Sequence, residues 1–275
     1  MQIQFTKMHG LGNDFVVIDA INQTVQLTHD QFRFIADRKR GIGCDQILLV
    51  EASNSKDVDF RYRILNSDGS EVGQCGNGAR CFAQFVRRKG LIDKDDICVE
   101  TLSGVYMLRI LDAVNVTVEM GLPIFEPNKI PFVADQFSET YSVDVMDTTV
   151  ELSTVSVGNP HAVIVTENLD SKYIRSLGEA LETHSRFPER TNVQFIKIDN
   201  ESSIQQRIWE RGAGETMASG SGACAAVAVG QMRGLLDSRV QVHMLGGELS
   251  IENTKDGSLF MTGPAEFSFE GSVQL

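Results

Sequence analysis

The chain has 275 residues, 42% of them apolar and 23% charged, with a formal net charge of -12. That length builds one large domain or two of ordinary size with a sizeable core. The negative balance argues against nucleic acid or an anionic membrane as a main partner, since both call for clustered Lys and Arg.

The run "DRKR" at 37–40 reads as solvated surface. No basic-then-apolar leader opens the sequence and no apolar run approaches a membrane span, so the cytoplasm is the expected compartment. Five scattered cysteines (Cys44, Cys75, Cys81, Cys98 and Cys224) suggest no disulfide framework. With dispersed histidines and no CxxC or HExxH, a metal site is not expected.

Short β-branched or aromatic runs follow one another along the chain: "IQFTKMHG", "DFVVID", "QILLV", "FRYRILN", "ICVET" and "VYMLRIL". A second series runs from "VNVTVEMG" through "VELSTVSVGN", "HAVIV", "VQFIKID", "IQQRIWE", "VQVHML" and "ELSIEN" to "SLFMTG". Helical patterns are fewer, at about 29–39, 77–89, 171–182 and 221–235. The mixture predicts an α+β fold with mainly antiparallel strands.

The chain repeats itself. "GNDFVVI" at 12–18 resembles "GNPHAVI" at 158–164, an offset of 146. "RYRILN" at 61–66 parallels "QQRIWE" at 205–210, an offset of 144 that sets Arg63 opposite Arg207. "EVGQCGNGARCFAQFVR" at 71–87 parallels "ETMASGSGACAAVAVGQ" at 215–231, again at 144. Matches in one order at offsets within two residues of each other imply two tandem copies of a single domain, with a boundary near the prolines of "EMGLPIFEPNKIPF" at 119–132. The expected domains are 1–119 with 265–275, and 120–264.

In both copies a Gly-rich turn leads into a small apolar helix, "ARCFAQFV" or "ACAAVAVG", read as apolar all round and therefore buried. The N-terminus of such a helix offers unpaired N–H groups and partial positive charge. It suits a carboxylate or phosphate and favours a thiolate. Cys75 opens one helix and Ser219 stands in its place at the other. Two acid/base groups on opposite faces of one carbon are what inversion of a stereocentre needs, with N–H donors supporting the carbanion. "GSGACA" at 220–225 also fits GxGxxA, but no parallel βαβ unit follows and its twin at 76–81 breaks the pattern, so a nicotinamide site is a poor alternative.

"MHGLGNDF", "NSDGSEVGQCGNGARCFA", "GNPHAV", "RFPERTNVQF", "ERGAGET" and "GSGACAAVAVG", in that order, resemble the diaminopimelate epimerase family from Lys7 to the "MTGPA" at 261–265. Proline racemase and the phenazine-type isomerases share the architecture but not this motif set. The resemblance implies two pseudo-symmetric domains, each a mainly antiparallel sheet wrapped around a central helix, with the active site in the interdomain cleft and the last strand returning to the first domain. It implies interconversion of LL- and meso-2,6-diaminopimelate in lysine and peptidoglycan precursor synthesis, without pyridoxal phosphate or metal, by a homodimer. Cys75 matches the family's proton donor, and Gly76 with Asn77, and Gly220 with Ser221, match the helix ends that meet the reacting carboxylate. Asn13, Gln46, Asn66, Asn159, Asn192, Glu210 and Arg211 match substrate-binding positions, and His161 and Glu210 match positions that tune the thiols. Arg211 suits a distal carboxylate, which its guanidinium fork would pair bidentately.

The departure is at 219. The family reads "ACGSGACAA" and this chain "ASGSGACAA", so the second catalytic cysteine, the family's proton acceptor, is a serine. Serine has no ready access to its alkoxide, and the neighbouring sequence shows no dedicated base, so impaired epimerisation is expected. An introduced Cys→Ser change and a natural variant of altered activity both stay open, as do a non-catalytic amino-acid-binding protein and a related racemase or isomerase of the same fold. Phe269 stands where some members carry a tyrosine at the dimer contact.

Overall fold

The structure is a computed structural model that describes residues 1–73 and 75–275; Gln74, inside the "QCGNGAR" motif, lies outside the described residues. In chain order the elements are β1 (Gln2–Gly10), β2 (Asn13–Asp19), α1 (His29–Ala36), β3 (Gln46–Ala52), β4 (Phe60–Asn66), β5 (Glu71–Val72), α2 (Gly76–Arg88), β6 (Asp96–Thr101), β7 (Gly104–Ile110) and β8 (Asn115–Gly121). They continue as β9 (Tyr141–Val145), β10 (Thr148–Ser156), β11 (Pro160–Val165), α3 (Ser171–Glu182), β12 (Asn192–Asn200), β13 (Ser203–Glu210), β14 (Gly214–Glu215) and α4 (Gly220–Met232). The last four strands are β15 (Arg239–Met244), β16 (Gly247–Asn253), β17 (Leu259–Pro264) and β18 (Glu266–Gln274). The chain divides into two compact units, Met1–Glu119 with Thr262–Leu275, and Met120–Met261.

The units share a plan. In the first, β2 pairs parallel with β3, β3 antiparallel with β4, β4 parallel with β6, and β6 antiparallel with β7. In the second, β11, β12, β13, β15 and β16 repeat that series with the same senses. The register repeats too: Phe15 lies opposite Gln46 as His161 lies opposite Asn192. This is a mixed, mostly antiparallel α+β fold built twice.

A helix lies on each face of each sheet, which is why the central strands are buried on both sides. Side chains alternate between faces with a period of two. Val16, Ile18, Ile47 and Leu49 therefore pack in the core that holds Phe32 and Ile35 of α1, while α2 packs on β1, β2, β3 and β7. In the second unit Ala162, Ile164, Val193 and Phe195 join Ile174, Leu177 and Leu181 of α3, and α4 packs on β10, β11, β12 and β16. The outer helices start on side-chain caps: Thr28 with Gln31 in a reciprocal capping box, and Asp170.

The two inner helices differ from one another. From Gly222 to Gly230 α4 is buried throughout. The reading of α2 as apolar all round is corrected: it buries Arg80 and Gln84. Both are tolerated because each donates to a main-chain carbonyl, Arg80 Nε to Pro264 at 3.0 Å and Gln84 Nε2 to Asp112 at 2.8 Å. The run at 37–40 is also more than solvated surface, since Arg38 pairs with Asp14 and Asp45. Cys98, expected in the core, is half-buried on β6.

Glycine permits close approach at the first turn of each inner helix. A Cβ at Gly78 would strike the Tyr62 hydroxyl, and one at Gly222 would lie 2.6 Å from Gln194 Oε1. Alanine normally stabilises a helix over glycine by about 1 kcal/mol. Here Gly222→Ala is expected to reverse that sign and cost about 1–3 kcal/mol through overpacking, read as a lower urea midpoint at unchanged slope. A neutral or stabilising result would contradict the packing.

Candidate active site

Each unit builds the same turn. A bidentate ion pair fixes its start: Arg63 on β4 holds Glu71 on β5 (Nε–Oε1 3.0 Å, Nη2–Oε2 2.8 Å). The equivalent Arg207 on β13 holds Glu215 on β14 (Nε–Oε1 2.8 Å). The conserved spacing of Arg63 and Arg207, and of Glu71 and Glu215, thus has a physical cause within the chain itself. Beyond the pair, the backbone delivers one residue in extended conformation to cap the inner helix. Cys75 has φ -149° and ψ 108°, and Ser219 has φ -137° and ψ 119°. Cys75 Sγ accepts from Gly78 N–H at 3.4 Å, and Ser219 Oγ accepts from Gly222 N–H at 3.3 Å. The sulfur and the oxygen do the same structural work.

In the first unit Asn13 stands beside the cap. Its Oδ1 accepts from Asn77 Nδ2 at 3.4 Å and lies 3.9 Å from Cys75 Sγ. Its Nδ2 donates to Asp45 Oδ2 at 2.9 Å. Asp45 accepts in turn from Arg38 at 2.7 Å, and Arg38 and Lys7 both hold Asp14. Burial raises the Asp14 carboxyl, but the hydrogen bonds from Arg38 and Lys7 outweigh it and hold the group well below the usual carboxylate range. Gln46 and Asn66 are cross-strand partners, joined through Gln46 Nε2 and Asn66 Oδ1 at 2.9 Å. On another side, Cys75 borders a small, largely apolar pocket lined by Tyr62, Ala79, Val99, Tyr106 and Val118. Burial pushes the Cys44 thiol up to about 12 and the Cys81 thiol higher, which disfavours the thiolate at both.

In the second unit a carboxylate accompanies the cap. Ser219 Oγ donates to Glu210 Oε2 at 3.4 Å, and Thr216 Oγ1 donates to Glu210 Oε1 at 2.5 Å. The expectation that the serine has no neighbouring base is corrected: strand pairing between β13 and β14 brings the Glu210 carboxylate to it. His161 is fully buried, with Nε2 2.8 Å from Asn159 Oδ1 and Nδ1 2.9 Å from Gln194 Nε2. Burial, and then the Arg211 charge, pushes its imidazole down to about 3. Asn159 Nδ2 reaches Ser221 Oγ on the first turn of α4 at 3.5 Å. Asn192 donates to Pro160 O at 3.0 Å and accepts from Arg211 N–H at 3.0 Å, while the Arg211 guanidinium donates to Glu189 O.

Cys75, Gly76, Asn77 and Asn13 therefore gather at one helix end, and Ser219, Gly220, Ser221, Glu210, Asn159 and His161 at the other. Asp45, Thr216, Gln194 and Gln206 were missed from sequence. Gln194 and Gln206 left little signal, since β12 and β13 carry several other polar residues.

Comparison with known proteins places these features. The fold is shared with a Bacillus anthracis phenazine biosynthesis protein of the PhzF family (TM-score 0.73, 17% identity, all of both chains). It is also shared with a hydroxyproline epimerase from Agrobacterium vitis (TM-score 0.70, 16% identity, 99% of this chain and 92% of that one). The class is thus a duplicated α+β fold shared with these proteins. A family model described as diaminopimelate epimerase matches residues 5–126 and 153–268. The diaminopimelate epimerase of Teredinibacter turnerae is 51% identical over all of both chains, and that of Nitrosospira multiformis 50% identical over all of this chain and 99% of that one. The chain belongs to the diaminopimelate epimerase family and is an isomerase. Among the described residues, no helix is long and apolar enough to cross a membrane.

A histidine held neutral by burial makes stability depend on pH. The unfolded chain takes up the His161 proton near pH 6.5 and the folded chain near 3, so this contribution is complete above 6.5 and is lost as pH falls toward 3. Between pH 6.5 and 4.5 the unfolding free energy is expected to drop by roughly 1.4 kcal/mol per pH unit from this group. Asp14 contributes only below that window, because its unfolded carboxyl titrates near 3.9. His161→Gln should flatten the 6.5-to-4.5 slope in urea titrations; an unchanged slope would contradict the assignment.

Proposed function

We propose that the chain interconverts LL- and meso-2,6-diaminopimelate by two-base transfer of the α-proton, without pyridoxal phosphate or metal. In one direction Cys75 is the proton donor and the residue at 219 the acceptor, and in the reverse direction the roles exchange. The observation that carries this reading is the twin cap: one side chain of acid/base type at the head of each inner helix, in one backbone conformation. Behind each lie N–H groups of the first helical turn, which lack intrahelical partners and suit the substrate's α-carboxylate. They also stabilise the charge that develops when the α-proton leaves. Arg211 and the asparagines Asn66 and Asn192 hold the polar groups at the far end of this two-headed substrate, while Asn13 and Asn159 meet it beside the caps. The same reading places the enzyme in lysine and peptidoglycan precursor synthesis, in the cytoplasm and as a homodimer.

At 219 the chemistry is lost while the cap is kept. A thiol titrates near 8.5 and is lowered by a helix end. A hydroxyl is far less acidic, so even with the Glu210 carboxylate beside it almost none of it is present as alkoxide. Cys75 retains exchange on its own face. In deuterated water, NMR should show α-proton exchange with little net epimerisation. Ser219→Cys should raise the epimerisation rate by about 10²–10⁴-fold, the range for a positioned acid/base group. Full-rate conversion by the serine chain, or an inactive Ser219→Cys chain, would overturn the reading.

A further inference from the structure

The two caps are alike, but the layers beneath them are opposites. Under the first turn of α2 lie Phe15, Leu48 and Tyr62. The residues at the repeat-related positions of the second unit are His161, Gln194 and Gln206. These are polar, and each is no more than 2% exposed. They are joined in series. Gln206 Nε2 donates to Gln194 Oε1 at 2.8 Å, Gln194 Nε2 donates to His161 Nδ1 at 2.9 Å, and His161 Nε2 lies 2.8 Å from Asn159 Oδ1. Asn159 Nδ2 then reaches Ser221 Oγ at 3.5 Å.

The chain has one favoured direction. Run this way, it leaves only the Gln206 carbonyl oxygen without a partner. Reversed, it would strand the whole Gln206 amino group, and orphaned buried N–H groups are rarer than under-satisfied carbonyls. With Nδ1 accepting, the neutral His161 ring carries its proton on Nε2 and donates to Asn159 Oδ1. That turns the Asn159 amino group toward the first turn of α4.

Asn13, the repeat partner of Asn159, is turned the other way. A carboxylate only accepts, so Asp45 takes the Asn13 amino group and leaves Oδ1 toward Cys75 and Asn77. An acceptor beside a thiol favours its protonated form, and donors beside a group that must become anionic favour its charged form.

We propose that Gln194 and Gln206 are positioning residues that act through His161 to hold Asn159 with its amino group toward the first turn of α4, the reverse of the way Asp45 holds Asn13 at Cys75, and so assign the acceptor and donor halves of the reaction. This rests on the epimerase reading above. Like the outer partners of catalytic groups elsewhere, Gln194 and Gln206 work by orientation rather than by contact with substrate.

The test has two readouts. In the chain as it stands, 15N NMR of labelled histidine should show His161 as the Nε2–H tautomer. Gln194→Glu is nearly isosteric but presents an acceptor to Nδ1, so it should reverse His161 to the Nδ1–H tautomer. In the Ser219→Cys background, Gln194→Glu should lower kcat roughly 10- to 100-fold, as loss of an orienting partner does. An Nδ1–H tautomer in the unmutated chain would overturn the proposal. So would Gln194→Glu with a reversed tautomer and kcat within about twofold of its parent. If the Ser219→Cys parent has no epimerase activity, the functional reading fails, and the tautomers alone decide the hydrogen-bond chain.

Discussion

The site depends on a requirement of helix geometry: the first N–H groups of a helix need an acceptor, and a short polar side chain in extended conformation supplies one. Cys75 and Ser219 both meet it, by accepting from the third residue on. In the proposed reaction the atom that caps the helix is also the atom that moves a proton. This dual use explains how serine can replace a cysteine at 219 with the turn intact. The cap tolerates either heteroatom, whereas the chemistry separates them by the gap between thiol and hydroxyl acidity.

Duplication supplies the frame and divergence supplies the direction. The arginine–glutamate pairs at the turns, the parallel and antiparallel pairings and the strand register recur in both units. What differs is the surroundings of each cap. Cys75 borders aromatic and aliphatic side chains and an amide oxygen. Ser219 has the Glu210 carboxylate beside it and the buried His161–Gln194–Gln206 series in its unit. A two-base site must hold one group protonated and the other ready to lose its proton, and a perfectly repeated environment would hold both alike. The cost of the polar layer is its burial, which is acceptable because its members satisfy one another's hydrogen bonds almost completely.

Much of this was legible in the sequence because it is local or periodic. The repeat, the caps and the buried inner helices follow from spacing and composition, and α3 falls at its expected bounds. Strands that read poorly were those with little apolar signal, such as β18, whose residues are largely exposed, or those as short as β5 and β14. The side-chain partners were less accessible. That Glu210 meets Ser219 depends on the tight β13–β14 pairing, and that Asp45 holds Asn13 depends on a contact across 32 residues. Gln194 and Gln206 are unremarkable in one dimension. They acquire meaning only when the register of β12 and β13 sets them beneath α4 and beside His161. Arg80 and Gln84 misled for a related reason, since their partners are main-chain carbonyls remote in sequence.

The central proposal is that the two helix ends serve one substrate. The most direct measurement is a titration with diaminopimelate followed through the backbone amide resonances of residues 76–78 and 220–222. The account predicts that both sets shift together along a single binding curve, because one carboxylate meets both sets of N–H donors. Movement of only one set, or two separate curves, would contradict it.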